Sequence, residues 1–439
     1  MTQGSIIRHL IAFTLPLILG NFFQMTYHAA DSIIVGRLIG EEALAAVGTA
    51  EPVMDLLILG ISGLCVGVSV IMSQLFGAGE YDKLRRELGI SLKLCMAFAL
   101  AVTALSVAFA PVLLTALQVP EQILGPAVLY LRIVMVGMPF TCLYNVYAAA
   151  LRSVGDSKTP LFFLTLTSIL NIVLDLAFIA LLHAGVMGAA VATMMAQMIS
   201  AVLCVIHTSR KVPLLALRAQ DFAPEPALMR KTLRYGVITA FQQCAQPVGK
   251  LLIQGMVNTL GVSAIAAYNV VGRIEEIVLL PERSIGNAMM TFTAQNRGAK
   301  EDERVRKGLF AGMALEVGCF ALVAVIIAFF HKPLLMLFGK SESILAEGSA
   351  YFTSIVLLYW LPGLTNGAQG YIRGQGHMKL SLCGTLTQIS FRVIFTALLI
   401  GHMGIRGIAY ACCIGWSIML VVLGVSLSVL EKRANAPKR

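Results

Sequence analysis

Of 439 residues, 58% are hydrophobic and 13% charged, and the mean hydropathy is +0.82. Soluble domains carry about 25% charged residues, so most of this surface is not in water. The net charge of +10 does not mark a nucleic-acid binder, because the basic residues collect in connections between long apolar runs.

Apolar runs of about 20 residues match the bilayer core. Period-two alternation is absent and Gly, Ala and Leu fill the runs, so helices are expected rather than a barrel. Twelve spans are predicted, at roughly 11–36, 46–73, 89–117, 127–151, 160–182, 186–207, 235–259, 265–291, 308–330, 350–372, 380–401 and 404–429. The first lacks a small-residue cleavage site and is expected to be retained.

That first span ends on Asp31, after Pro16, Gly20, Asn21 and Gln24 interrupt its apolar run. His28 lies one turn earlier, either as a proton partner for Asp31 or as a pore-lining histidine. Span 2 holds Glu51 and Asp55, and the fifth span holds Asn171 and Asp175, four apart and so on one helical face. A carboxylate at membrane depth is costly and normally faces a protein interior or a water-filled path. Asp31 and Asp175 are therefore candidate ion-binding groups, with an interfacial or structural acid as the alternative for each.

Span 8 carries Arg273, Glu275, Glu276, Glu282 and Arg283, which places it along a central cavity rather than in lipid. Lys250 and Arg392 are expected either to pair with Glu276 or Glu282 in structural ion pairs, or to suit the second half to an anionic substrate group. Cys95, Cys142, Cys204, Cys319, Cys383, Cys412 and Cys413 lie inside apolar runs and read as small hydrophobes, with no metal or disulfide framework implied. Neither a nucleotide loop of the GxxxxGK[ST] kind nor a catalytic triad is present, so neither an ATPase nor an enzyme is expected.

Orientation follows from charge. With the N-terminus inside, 23 basic residues fall on cytoplasmic connections, among them Lys83, Arg152, Arg218 and Arg306. Four (Arg37, Lys332, Lys340 and Arg406) fall on the other side. That bias puts both termini in the cytoplasm.

The longest polar connection, 208–234, contains Pro213, Pro224 and Pro226 and separates two halves. The expected divisions are 1–207 and 235–430 as six-helix lobes, 208–234 as a cytoplasmic linker and 431–439 as a basic tail. A shift of 221 positions supports this: Gly40 falls on Gly261, Gln74-x-x-Gly77-Ala78 on Gln295-x-x-Gly298-Ala299, and Arg152 and Gly155 on Arg373 and Gly376. After a slip of two, His183-Ala184-Gly185 falls on His402-Met403-Gly404. Each half has an even number of spans, so the repeats are parallel, related by a pseudo-twofold axis along the membrane normal, with a cleft between them. Asp55 meets Glu276 at this shift, but Asp31, Asn171 and Asp175 meet Leu252, Arg392 and Thr396. A cation site is thus expected in the first half only.

Several motifs together resemble the multidrug and toxic compound extrusion (MATE) transporters of prokaryotic type. They are Pro16 with Asp31-Ser32-Ile33-Ile34-Val35-Gly36, Gln74-Leu75-Phe76-Gly77-Ala78-Gly79, and Leu151-Arg152-Ser153-Val154-Gly155-Asp156-Ser157-Lys158-Thr159-Pro160. To these are added Asn171-Ile172-Val173-Leu174-Asp175 and Ala294-Gln295-Asn296-Arg297-Gly298-Ala299. The resemblance implies an all-α protein of twelve transmembrane helices in two six-helix bundles. It also implies export of cationic or amphipathic organic compounds against H⁺ or Na⁺, with Asp31, Asn171 and Asp175 as the cation site. No cofactor, nucleic acid or ATPase subunit is implied. A monomer in the bacterial cytoplasmic membrane, with small organic substrates, is expected. His28, Asp55, Lys250, Glu276 and Arg392 are the candidate cavity or gating residues. The seventh span, Phe241-Gln242-Gln243-Cys244-Ala245-Gln246-Pro247, lacks the acid that some members use there. The rival reading is a flippase for a lipid-linked precursor, with Lys250, Arg283 and Arg392 on its phosphate; an uncoupled channel or scaffold fits the duplication less well.

Overall fold

The long apolar runs leave no water for their backbone amides, and helices satisfy those groups within each segment. A computed structural model describes residues 1–338 and 341–435, the last six of these as backbone only, so Lys340 and the side chains of the expected tail lie outside the described residues. Among the described residues the fold is all-α. Its helices are α1 (Ile6–Leu38), α2 (Glu41–Gly77), α3 (Tyr81–Ala116), α4 (Glu121–Ser153), α5 (Lys158–Asp175), α6 (Gly185–Lys211) and α7 (Pro226–Val257). They continue with α8 (Val262–Val278), α9 (Leu280–Gly298), α10 (Asp302–Met336), α11 (Glu342–Ile355), α12 (Trp360–Gly374), α13 (Met378–Met403) and α14 (Ile405–Asn435).

Nine described helices are long and apolar enough to cross a membrane, and the bent pair α11–α12 makes ten. The expected count of twelve is not reached, for a physical reason. α7 carries Arg230, Lys231, Arg234 and Lys250, and the α8–α9 stretch carries Arg273, Glu275, Glu276, Glu282 and Arg283. Both are too polar to pass on composition alone.

Two of the expected spans are broken in the second half and continuous in the first. Pro281 sits at the start of α9 and interrupts the eighth span between Val278 and Leu280. Pro362 lies at the start of α12, which meets α11 at 53°. Proline removes an amide donor and clashes with the preceding turn, which accounts for these two breaks, although Pro52 and Pro139 are accommodated inside unbroken α2 and α4. The repeat-related residues are Gly60 and Thr141, inside unbroken α2 and α4.

The turns repeat at the same offset. Gly40 and Gly261 have φ of 124° and 95°, Gly79 and Lys300 have 73° and 61°, and Gly155 and Gly376 have 95° and 92°. After the slip, Gly185 and Gly404 both have 56°. The left-handed turns that end or begin helices thus occur in pairs along the chain.

The chain forms two compact units, Pro16–Ala240 and Met1–Leu15 with the chain from Phe241 onward. The first unit therefore includes the connection 208–234 and the opening turns of α7. Those turns are fixed there by Thr232, whose hydroxyl lies 2.9 Å from both oxygens of buried Glu87 on α3. A Cβ on Gly63 of α2 would come 2.4 Å from the Ala240 Cα, so only glycine permits that approach of α2 and α7. The core of this unit centres on Leu131, Met135, Cys142 and Val146 of α4 against Ile61 and Met72 of α2 and Leu84 and Leu88 of α3. The core of the second unit gathers Val271, Phe320, Tyr351, Phe352, Tyr359, Ile408 and Cys412. Exposed Leu105, Phe109 and Val112 on α3, and Phe310, Leu322 and Phe329 on α10, are apolar faces suited to lipid.

Candidate cation site

In the first unit α1 and α5 bring the three sequence-selected residues inside the protein. Asp31 is 7% exposed, Asn171 1% and Asp175 fully buried. α1 lies against α5 at Gly20, where a Cβ would stand 3.3 Å from Leu164 and 3.5 Å from Leu161. Asn171 donates through Nδ2 to the Thr193 hydroxyl of α6 at 3.2 Å, which leaves its amide oxygen free to accept. Asp31 and Asp175 lie within hydrogen-bonding reach of each other, and apart from that mutual contact one oxygen of Asp31 and both of Asp175 have no partner. The two carboxyls are electrostatic neighbours. Immediately after Asp175 the helix widens into a π-helical turn, Leu176–Leu181, of the kind that often accompanies functional sites.

Unpartnered oxygens from two acids and one amide are what a proton or a small hard cation needs. A proton requires one carboxyl oxygen, whereas Na⁺ requires several oxygen donors and no nitrogen. Either would remove the cost of burying two like charges together. Tyr27 of α1 and Tyr130 of α4 are electrostatic neighbours of both acids and of Glu51.

His28 is placed differently from the proton-partner expectation. It is exposed, its ring stacks on Tyr27 with centroids 4.2 Å apart, and its carboxylate neighbour is Asp55 rather than Asp31. Asp55 itself is exposed.

The second unit holds the remaining candidates. Lys250 Nζ is 3.5 Å from Glu276, which also lies 3.9 Å from Arg273, as the ion-pair alternative anticipated. Arg392 departs from expectation: its charged neighbour is Glu275, beside Tyr268, Tyr351 and Cys412, and neither Glu276 nor Glu282. Glu275 accepts from the hydroxyls of Tyr351 at 3.1 Å and Tyr359 at 3.2 Å. Glu282 accepts from the Asn366 side-chain amide instead.

Sequence reasoning passed over two features here. Glu316 of α10 is fully buried with both oxygens unpartnered, and Asn366 of α12 is a partner of Glu282. Pro281 and Pro362 were the available signals, because proline-interrupted spans mark the places where polar groups collect. In the first unit Cys65, Cys95 and Cys142 are neighbours, all as free thiols.

The MatE family model matches residues 16–177 and 239–398. A probable multidrug resistance protein of Bacillus subtilis strain 168, YpnP, is 30% identical over 419 residues, covering 93% of this chain and 91% of that protein. A second from the same organism, YoeA, is 30% identical over 351 residues, covering 78% and 76%. A solved outward-facing multidrug resistance MATE transporter of the MOP superfamily superposes with a TM-score of 0.91 at 23% identity, covering 98% of each chain.

Proposed function

We propose, for a chain that belongs to the multidrug and toxic compound extrusion (MatE) family, that Asp31, Asn171 and Asp175 bind the coupling ion. Membership makes the protein a multi-pass secondary antiporter for multidrug efflux and not an enzyme. Its partners are small organic substrates and the bilayer, and its energy comes from H⁺ or Na⁺ rather than from a bound cofactor. A flippase for a lipid-linked precursor has no support among these relatives.

The observation that carries the site is the set of unpartnered oxygens on Asp31, Asn171 and Asp175, buried where α1 meets α5. Ion entry from outside neutralises the two acids and lowers the cost of packing α1 against α5 near Pro16 and Gly20. The substrate then loses its place and leaves outward, and the ion is released inward on return. One charge moving inward through 100 mV contributes about 2.3 kcal/mol, enough for roughly fiftyfold accumulation under tight coupling.

The finer architecture belongs to the same reading. Twelve spans form two six-helix lobes related by an axis along the membrane normal, with the connection 208–234 and both termini cytoplasmic. His28, Asp55, Lys250, Glu276 and Arg392 line the substrate path or its gates. The paired turns and the basic bias of one set of connections support it. Proteoliposomes loaded with a cationic dye test the function: efflux follows an imposed Na⁺ or proton gradient, and dye movement indifferent to both gradients would refute it. Cysteines placed at positions 83 and 332 test the orientation, which fails if both are labelled from one side of intact cells.

A further inference from the structure

The second unit contains a buried acid pair that the proposed cation site does not use. Glu316, midway along α10, is fully buried, and neither carboxyl oxygen has a hydrogen-bond donor. Glu282 on α9 is 7% exposed and is its electrostatic neighbour, held by the side-chain amide of Asn366 on α12.

Close helix approaches fix these three side chains in place. A Cβ on Gly363 would stand 3.2 Å from a Glu316 carboxyl oxygen, and one on Gly367 would stand 3.5 Å from the Glu316 Cγ. A Cβ on Gly370 would lie 2.2 Å from the Gly286 carbonyl oxygen, so α12 and α9 meet backbone to backbone. Independently, the two broken spans of this unit end beside the same group: Glu282 follows Pro281, and Asn366 lies one turn after Pro362. Interrupted helices are the usual construction of ion sites at membrane depth.

Charge accounting selects the ligand. Glu316 faces Glu282 from α9, Cys319 of its own helix, and the amide and glycines of α12. Behind Glu282 are Glu275 of α8, already bonded to Tyr351 and Tyr359, and the exposed Arg283. Two ionised carboxylates with so little compensation are costly in an apolar interior, and a carboxylate without donors is costlier still. Of the three side chains only Glu316 has buried oxygens without a partner, since Glu282 already accepts from Asn366; that suffices for a proton, whereas a metal ion would need free oxygens from several groups, as Asp31, Asn171 and Asp175 supply.

We propose that Glu316, with Glu282 and Asn366 as its positioning partners, is a second proton-binding site, confined to the second unit and independent of Asp31 and Asp175. Binding forms one O–H bond on a Glu316 oxygen with a proton taken from water, and release returns that proton to water. The repeat-related residues of the acid pair are Ile61 and Cys95, so the first unit has no such site.

Infrared difference spectra of the full-length protein in lipid nanodiscs, recorded between acidic and alkaline buffer, test this. The carbonyl band of a protonated acid is expected to persist in part in Asp175→Asn. Adding Glu316→Gln should remove a distinct component of the remainder, and Glu282→Gln should shift that component without abolishing it. In counted flux, Glu316→Gln should lower the protons imported per substrate exported while leaving substrate affinity unchanged. If Glu316→Gln fails to fold, Glu316→Asp should retain the component at a displaced frequency. A spectrum unaltered by either Glu316 variant would overturn the second site. A spectrum unaltered by Asp175→Asn would instead count against proton binding at Asp175 and leave the second site standing.

Discussion

The two units use the same turns and different charges. In the first, α2 and α4 run unbroken past Gly60 and Thr141, and the buried acids with unpartnered oxygens come from α1 and α5. In the second, Pro281 and Pro362 break the corresponding spans, and the buried acids sit on α9 and α10 beside those breaks. At the 221-residue offset Asp175 corresponds to Thr396, while Glu316 corresponds to Cys95 in its cluster of free thiols. A duplicated backbone therefore preserves its turns, which geometry demands, and not its unpartnered buried acids, although Asp55 and Arg152 do keep charged counterparts in Glu276 and Arg373.

The largest effect should come from the backbone contacts that each unit uses. Gly370→Leu forces side-chain atoms into the Gly286 carbonyl, and Gly63→Leu does the same against Ala240. Overpacking costs about 1–3 kcal/mol or more, so both variants should lose monodisperse protein on size-exclusion chromatography after detergent extraction. Gly424→Leu, with open space around it, should behave as the native chain. Normal yields from the first two would show that these approaches are not what holds either unit together.

Asn171→Leu sharpens the comparison at the ion site. It removes one oxygen that Na⁺ needs and a protonated aspartate does not. Na⁺-driven efflux should fall about tenfold, or 1.4 kcal/mol, while proton-driven efflux changes little. Equal losses under the two gradients would mean that Asn171 is structural.

The smallest effect belongs to the exposed pair of the second unit. Glu276 is 42% exposed between Lys250 and Arg273, and such pairs contribute about 0–1 kcal/mol. Glu276→Gln should leave thermal stability and ions per substrate nearly unchanged while shifting which dyes are exported. Loss of ion coupling in this variant would move the coupling site into the second unit.

Much of this was legible in the residues. Membrane residence, helical class and the paired turns follow from composition and from Gly40, Gly155 and their counterparts. Asp31, Asn171 and Asp175 stood out because each interrupts an apolar run, and the structure buries all three. The remainder depended on tertiary neighbours. Four consecutive residues, Arg273 to Glu276, offer no sequence rule for which acid faces Arg392, and rotation of the helix selects Glu275. His28 lies one turn from Asp31 on the same helix, yet its acidic electrostatic neighbour is Asp55 of α2. Glu316 sits alone in a long apolar helix, and only the approach of α9 and α12 supplies its context.

In the proposed mechanism gradient-driven export depends on the acids of the first unit, Asp31 and Asp175. Efflux from proteoliposomes containing Asp175→Asn, with Na⁺ and pH gradients imposed separately and ions counted per substrate, tests it most directly. Native insertion and substrate binding are expected, with gradient-driven efflux abolished under both gradients. Export at the native rate and ion ratio would contradict this mechanism and make Asp175 a structural residue.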